Sequence, residues 1–541
     1  MTHRVNRSSE LTEGVHVDVY DTTLRDGTQR EGVSLSCNDK LRIARRLDQM
    51  GVAFIEGGWP GSNPKDAEFF ERAKDEAWTH AQITAFASTR RPGIACETDP
   101  SVQALLQSGA AVCTVFGKTW NLHVAEVLRT SLDENLRMIE ETVAFLGAEG
   151  RRVIYDAEHF FDGYRADPSY AMETLLAAVR GGAEVVVLCE TNGGGLPWTV
   201  EAAVREVVKR LEHPVGIHTH DDTGCAVANT LSAVQAGARH VQGTINGYGE
   251  RCGNANLCAV IPDLELKLGM RCLPPGGLSQ IREVAHFVAE VANLSPDEHA
   301  AYVGRSAFAH KGGVHVAAMR RNPDTYQHVD PAHVGNESRV VISELSGRGN
   351  VLSKADEHGW QVPQDTAVHV LDEIKQSEAV GYSFEAAEAS VAMMLRRRTI
   401  AYKPPFRVLD YKVLVGKRED DQAYAEATVK LQVGDTVVHT AGEGGGPVAA
   451  VDAALRKALE PAYPVVARIQ LTDYKVRILD GVEGTSAVTR VLIDSSDGKR
   501  AWSTVGASAN IIEASCRALV DGLEYGLLVM QDAGEIEQRV A

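Results

Sequence analysis

The sequence contains no run of about 18 apolar residues, the length that a membrane-spanning helix needs. Its first residues, MTHRVNRSSELTEG, lack the apolar core of a signal peptide. The nine cysteines are scattered and form no CxxC pair, which argues against a zinc–thiolate site. These absences predict a cytoplasmic protein of a reducing compartment that has no membrane partner.

The chain has fewer basic than acidic residues, with 55 lysines and arginines and 73 aspartates and glutamates. The formal net charge is -18, and the two signs are interspersed, which argues against nucleic acid or an anionic membrane surface as a partner. A local basic pocket for an anionic small molecule remains compatible with this balance. The 541 residues suffice for about two to four globular domains.

Up to about residue 265, short apolar strands alternate with amphipathic helical segments such as Lys40–Met50. The predicted strands are His16–Tyr20, Ala53–Glu56, Ile83–Ala87, Val112–Phe116, Val153–Asp156, Glu184–Cys189, Val215–Thr219 and Val241–Ile245. This spacing predicts an α/β fold, a TIM (β/α)8 barrel, with a doubly wound open sheet as the alternative. Polar residues gather where these strands end, and in a barrel such residues share one face, which indicates an enzyme.

After the barrel, the predicted secondary structure changes twice. Helical stretches over Leu278–Val291 and Asp365–Arg398 enclose a segment, Gly304–Met319, that carries two histidines. Beyond about residue 405, an order of three strands and one helix occurs twice, which predicts an α+β domain with two pseudo-repeats. The predicted domains are a tail (1–14), the barrel (15–275), a helical linker subdomain (276–403) and a regulatory, dimerising domain (404–541).

His218 and His220 stand two residues apart on a predicted strand, so both imidazoles point to the same side. Asp26 follows strand one, and Asn254 follows strand eight, which adjoins strand one in a closed barrel. One carboxylate, two imidazoles and one amide suit Mg²⁺, Mn²⁺, Co²⁺ or Zn²⁺. Arg25 can neutralise charge that develops on a keto oxygen bound to such an ion.

Five segments carry a family resemblance: DTTLRDGTQ at 21–29, HTH at 218–220, NGYGERCGNAN at 246–256, HKGGVH at 310–315 and VGNESRVVISELSGR at 334–348. With these motifs the chain resembles the enzymes that condense a 2-oxoacid with acetyl-CoA, namely the 2-isopropylmalate, homocitrate and citramalate synthases. The C-terminal repeats look like the family's leucine- or isoleucine-sensing domain. The resemblance implies a divalent metal and small-molecule substrates.

Within that family, YDAEHFFDGY at 155–164 and ETNGG at 190–194 look most like the longer type of citramalate synthase. This implies that acetyl-CoA, pyruvate and water give (R)-citramalate and CoA, a reaction that leads into isoleucine biosynthesis. The alternatives are a 2-isopropylmalate synthase that uses 2-oxoisovalerate, a homocitrate synthase and an acyl-CoA lyase. The pocket for the 2-oxoacid side chain decides among the synthases, and its candidates are Phe86, Phe116 and Tyr155.

The resemblance also implies a role for each site residue. The implied metal ligands are Asp26, His218, His220 and Asn254. Arg25 is expected to hold and polarise the substrate, with Tyr155 and Thr191 as further substrate contacts. Glu158 is expected near the reacting carbons.

His315 is expected to help remove a methyl proton from acetyl-CoA, and His310 is the competing candidate for this role. We expect a neighbouring subunit to deliver this histidine, which requires a homodimer at least. The resemblance and a predicted glycine-rich loop, Gly442–Gly446, further suggest isoleucine as an effector at the C-terminal domain.

Overall fold

The structure is a computed structural model that describes residues 14–319, 321–344, 346–360, 362–399, 402–417, 423–479, 484 and 486–536. The predicted N-terminal tail lies outside the described residues except for residue 14. The chain forms two compact units. The first runs to Phe308 and includes Val329–Glu337, and the second comprises Ala309–His328 and the chain from Ser338 on.

The first unit is built on a closed barrel of eight parallel strands, which confirms the predicted fold class. The strands are β1 (Asp18–Asp21), β2 (Phe54–Gly58), β3 (Gln82–Ser88), β4 (Val112–Lys118), β5 (Arg152–Glu158), β6 (Val185–Glu190), β7 (Val215–Thr219) and β8 (His240–Gly243). Strand β1 begins later than predicted, because His16 makes an isolated bridge with Arg271 instead of joining the barrel ladder. Strand β1 pairs with both β2 and β8, which closes the barrel.

Helices cover the outside of this barrel and follow its strands along the chain. They are α1 (Cys37–Met50), α2 (Pro64–Ala73), α3 (Pro100–Ser108), α4 (Asn121–His123), α5 (Leu132–Ala148), α6 (Phe160–Ala166), α7 (Pro168–Gly181), α8 (Pro197–Leu211), α9 (Ala226–Ala236), α10 (Leu257–Pro262) and α11 (Ile281–Val291). None of the helices in the described part of the chain is long and apolar enough to span a membrane.

The strands read as continuous apolar runs because both of their faces are buried. Tyr20, Phe54 and Ile154 belong to a small core cluster of side chains contributed by five of the barrel strands. Their neighbours Val19 and Ile55 belong to the larger core, which includes the helices. The parity of each strand position therefore decides whether a side chain lies inside the barrel or under the helices.

The second unit contains a two-stranded sheet, a group of helices and two three-stranded antiparallel sheets. Its elements are β9 (Ala309–His310), α12 (Gly313–Met319), β10 (Arg339–Val340), α13 (Arg348–Glu357), α14 (Gln364–Ala379), α15 (Glu388–Arg396), β11 (Arg407–Lys417), β12 (Ala423–Val433), β13 (Thr436–Gly444), α16 (Pro447–Leu459), β14 (Gln470–Ile478), β15 (Thr489–Ser496), β16 (Ala501–Ser508) and α17 (Ile511–Asp532). The predicted pair of three-strand, one-helix repeats is confirmed.

Two local predictions in this unit were wrong. The single helical stretch expected over 365–398 is two helices, because the backbone turns at Gly381, whose φ of +112° does not suit a helix. The glycine-rich segment expected as a loop is partly strand, since Gly442 and Gly444 belong to β13. A Cβ atom at Gly442 would lie 2.5 Å from the backbone nitrogen of Ala454, so this glycine allows α16 to approach the strand.

The predicted domain boundaries lie at 275/276 and 403/404, whereas the chain passes between the two compact units at 308/309, 328/329 and 337/338. Helix α11 packs Ile281 and Val284 into the core of the barrel unit, which therefore extends past residue 275. Ala389 of α15 and Phe406 share one core with the C-terminal repeats. The predicted linker subdomain is thus shared between the two units.

His240 at the start of β8 gives the barrel a pH-sensitive position. Its side chain is buried between Tyr20 and Phe54, with ring centroids 5.4 and 5.6 Å away. Neither ring nitrogen has a hydrogen-bond partner among the described residues. Burial lowers the pKa of His240 to about 3, although the charge of Glu184 opposes this shift.

We predict that His240→Leu reduces the sensitivity of the fold to acid. The unfolded imidazole takes up a proton below about pH 6.5, whereas the folded one resists it down to about 3, so acidification favours unfolding. Between these two pKa values, this group lowers the free energy of unfolding by up to about 1.4 kcal/mol for each unit by which the pH falls. Urea unfolding at pH 7 and pH 4.5 measures the difference, with exposed His299→Leu as the control. Equal losses in the parent and in His240→Leu would contradict the prediction.

Candidate metal centre

Three of the four predicted metal ligands meet at the mouth of the barrel. Asp26 follows β1, His218 lies in β7, and His220 directly follows that strand. Their ligand atoms lie within 4.8 Å of one another, and all three residues are buried. The Nε2 atoms of His218 and His220 are 3.3 Å apart, and Asp26 Oδ2 is 3.8 Å from His218 Nε2.

The fourth predicted ligand, Asn254, also reaches this cluster. Its Nδ2 donates to Asp26 Oδ1 at 3.0 Å and to the carbonyl oxygen of Tyr248 at 3.2 Å. Its Oδ1 is buried without a hydrogen-bond partner in the described part of the chain. A half-turn of the amide about its terminal bond would exchange the two atoms and bring the oxygen to the cluster.

The protonation states of the cluster suit a cation. Burial alone would raise the pKa of Asp26, but Arg25, His218 and His220 outweigh burial and lower it to about 2. Burial, followed by the charge of His218, lowers the pKa of His220 to about 4. A deprotonated carboxylate and a neutral imidazole are the forms in which these groups bind metals. The donor set of Asp26, His218 and His220 therefore fits a divalent metal ion.

Arg25 is held at the edge of this cluster from several sides. Its Nη1 donates to Asp26 Oδ2 at 2.9 Å, and its Nε donates to Glu56 Oε1. Its guanidinium carbon lies 3.8 Å from the centre of the Phe86 ring, a cation–π geometry. Glu56 is fully buried and also accepts from the Tyr20 hydroxyl at 2.6 Å. These contacts fix the guanidinium beside the predicted metal ligands.

A cavity of about 210 Å³ opens over these residues. It is lined by Arg25, Asp26, Gln29, Trp59, Phe86, Phe116, Asp156, Glu158, Cys189, Thr191, His218, His220, Glu250 and Arg251. Glu158 accepts from Lys118 Nζ in an ion pair at the mouth. Thr191 Oγ1 accepts from the backbone N–H of His159 at 2.9 Å, so its own hydroxyl proton remains available to a ligand.

Tyr155 does not reach this cavity, contrary to its predicted role as a substrate contact. It is fully buried in the core under the helices, together with Ile139 of α5, and its hydroxyl lies beside Gly117 of β4. The next residue along β5, Asp156, lines the cavity instead. Side chains alternate between the two faces of a strand, so Tyr155 and Asp156 point in opposite directions. The prediction selected the residue that points away from the cavity.

The two other predicted pocket residues do line the cavity. The rings of Phe86 and Phe116 stack, with centroids 5.2 Å apart. Trp59, which sequence analysis missed, meets both rings edge-on at 5.8 and 5.6 Å. Its position directly after β2, where the other site residues follow their strands, was the signal that could have identified it.

Arg251 joins three loops at the rim of the cavity and was also missed. Its Nε donates to Asp222 Oδ1 at 2.7 Å, and its Nη2 donates to the carbonyl oxygen of Thr191 at 2.7 Å. Thr191 follows β6, Asp222 follows β7, and Arg251 follows β8. This side chain therefore ties together the loops that carry the predicted ligands and the predicted substrate contact.

His310 and His315 belong to the second compact unit, whereas the cavity belongs to the first. His315 is exposed on α12, with its ring 4.3 Å from that of Tyr326. His310 lies in β9, and its Nε2 is buried without a partner among the described residues. Burial, followed by the charge of His315, lowers the pKa of His310. The catalytic role of either histidine stays a prediction.

Three family models match the chain in series. The HMGL-like family matches residues 16–288, which include the whole barrel and the cavity. The family described as homocitrate synthase post-HMGL domain-like matches residues 302–381. The LeuA allosteric (dimerisation) domain matches residues 385–527, which contain the two repeats.

Curated relatives match nearly the whole chain. The (R)-citramalate synthase of Synechocystis sp. is 53% identical over 526 residues, covering 95% of this chain and 96% of that protein. The (R)-citramalate synthase of Streptomyces coelicolor is 52% identical, covering 96% and 98%. A 2-isopropylmalate synthase of Methanocaldococcus jannaschii is 29% identical, covering 94% of each chain. This chain therefore belongs to the HMGL-like family and, within it, to the family of the (R)-citramalate synthases.

Proposed function

We propose that this chain condenses acetyl-CoA with pyruvate and water to give (R)-citramalate and CoA. The observation that carries the proposal is its 45–53% identity, over nearly its whole length, to five relatives that are named (R)-citramalate synthase. The alternative, a 2-isopropylmalate synthase, rests on relatives of 29% identity. The proposed reaction leads into isoleucine biosynthesis, and its proposed compartment is the cytoplasm.

The proposed metal ligands are Asp26, His218 and His220, with Asn254 as the fourth through its amide oxygen. Oxygen and nitrogen donors without thiolate suit Mg²⁺, Mn²⁺, Co²⁺ or Zn²⁺. When bound, such an ion supplies Lewis-acid polarisation of the keto group of a 2-oxoacid. The guanidinium of Arg25 stands beside Asp26 and stabilises the negative charge that develops on the keto oxygen as that group is attacked.

Side chains that line the cavity, together with a histidine that we expect a neighbouring subunit to supply, account for the other steps. The Thr191 hydroxyl donates to the carboxylate of the 2-oxoacid. A histidine, His315 in preference to His310, takes a proton from the methyl group of acetyl-CoA, as histidine commonly does in general base catalysis. The resulting carbanion forms a bond with the keto carbon of pyruvate, near Glu158. The π pair of the keto group moves onto its oxygen, which takes up a proton to become the hydroxyl group of citramalate. Water then cleaves the thioester and releases CoA.

The aromatic wall supports pyruvate as the 2-oxoacid. Phe86, Phe116 and Trp59 are packed against one another and line the cavity together. Their bulk leaves room for a methyl group in preference to an isopropyl group. Phe86 is further fixed by the guanidinium of Arg25, so the pocket cannot widen without moving the group that polarises the substrate.

The C-terminal repeats are proposed to dimerise the chain and to bind isoleucine as an effector. The match to the LeuA allosteric (dimerisation) domain supports both roles. A dimer is also what a histidine supplied by a neighbouring subunit requires.

Phe116→Ala is expected to shift substrate preference. Removing this ring enlarges the pocket, so the ratio of kcat/KM for 2-oxoisovalerate to that for pyruvate should rise by about tenfold or more. Initial rates with acetyl-CoA and a panel of 2-oxoacids measure it, with Phe70→Ala, outside the cavity, as the control. A parent enzyme that prefers 2-oxoisovalerate would refute the pyruvate assignment.

Asp26→Ala and His220→Ala should each lower the bound divalent metal from stoichiometric to substoichiometric amounts. Each change removes one of the few protein donors of the proposed centre. Elemental analysis after dialysis measures the metal, and His213→Ala, a histidine outside the cavity, is the matched control. Retention of full metal content by both variants would place the ion elsewhere.

Isoleucine should inhibit the full-length enzyme, whereas valine and leucine should inhibit it less. The intact chain is the proper material, because Ala389 and Phe406 share a core with the repeats and truncation near residue 405 would expose that core. Rates at saturating substrate and increasing isoleucine measure the effect. No inhibition at any isoleucine concentration would leave the repeats with the dimerising role alone.

A further inference from the structure

His218 has a second polar contact on the side of its ring away from the other ligands. Its Nδ1 lies 2.8 Å from Oε1 of Gln242, which stands opposite it on the neighbouring strand β8. Gln242 is fully buried, and its Nε2 donates to Asp156 Oδ1 at 2.9 Å. Asp156 comes from β5 and is itself buried at the cavity. Three strands thus supply one hydrogen-bonded chain that ends on the imidazole.

The donors and acceptors of this chain fix its direction. The NH₂ end of the Gln242 amide donates to Asp156 Oδ1, which turns the amide oxygen toward His218. An acceptor at that place requires the ring proton on Nδ1. A neutral imidazole carries one ring proton, so Nε2 keeps its lone pair and directs it at the cluster. His220 lacks such support, since its Nδ1 has no partner among the described residues.

We propose that Gln242, oriented by Asp156, is a positioning residue that holds His218 in the tautomer with a free Nε2, before any ion binds. This inference rests on the proposed metal centre. Partners of this kind set the orientation and the tautomer of a metal-binding histidine, and their loss costs about 10–100-fold in metal affinity. The position is costly to alter, because Gln242 is fully buried and the loss of one partner leaves a buried polar group unsatisfied.

Gln242→Met tests the proposal, since methionine keeps the length of the side chain and removes the acceptor. We expect about 10–100-fold weaker Co²⁺ binding to the metal-free protein by calorimetry, with a changed visible absorption of bound Co²⁺. The double variant Asp156→Asn with Gln242→Glu exchanges amide and carboxylate and rebuilds the chain, so it should restore affinity. Thr84→Val removes another buried barrel hydrogen bond, to the Tyr20 hydroxyl, and should leave Co²⁺ binding unchanged.

Nitrogen-15 spectra of the metal-free parent, labelled at histidine, test the tautomer without any substitution. A proton on Nδ1 of His218 supports the proposal, and a proton on Nε2 overturns it. Parent-like Co²⁺ affinity in Gln242→Met, while Asp26→Ala loses binding, would overturn the positioning role and leave the metal centre standing. Parent-like binding in Asp26→Ala would overturn the metal centre itself.

Discussion

The pairing of β1 with β8 is the constraint on which the site depends. These strands are more than two hundred residues apart in sequence, and their ladder joins Asp18 to His240 and Asp21 to Gly243. Closure leaves only β8 between β1 and β7, so the loop after β1 lies close to the end of β7. Asp26 therefore meets His218 and His220 at the mouth of the barrel. Without closure, the charged groups at the strand ends would be separate solvated residues.

Closure also buries more negative than positive charge. Asp26, Glu56 and Asp156 are buried near one another. Arg25, which lines the cavity, donates hydrogen bonds to Asp26 and Glu56. Burial, followed by the charge of Glu56, raises the pKa of Asp156 to about 8. Buried charge without a counterion is costly. A divalent cation beside Asp26 would offset this excess, and its charge would also favour the ionised form of Asp156, which accepts from Gln242.

The sequence predicts well whatever depends on local pattern. Apolar runs with two buried faces give the eight strands, and the spacing of His218 and His220 predicts that their two imidazoles lie side by side. It predicts poorly what depends on strand parity or on contacts between distant strands. Tyr155 was chosen where Asp156 faces the cavity, and the part played by Gln242 follows only from its partners on β5 and β7. Gly442 and Gly444 look like loop residues in the sequence, because the reason for glycine in this strand is its close contact with α16, which only the folded structure shows.

The proposed chemistry requires that this cluster binds a divalent ion that contacts the 2-oxoacid. Pulsed electron paramagnetic resonance of the Mn²⁺-loaded enzyme with ¹⁷O-labelled pyruvate tests it most directly. We expect couplings from two imidazole nitrogens, together with broadening of the Mn²⁺ signal by the labelled oxygen. A Mn²⁺ signal without nitrogen coupling, or one unaffected by labelled pyruvate, would contradict it.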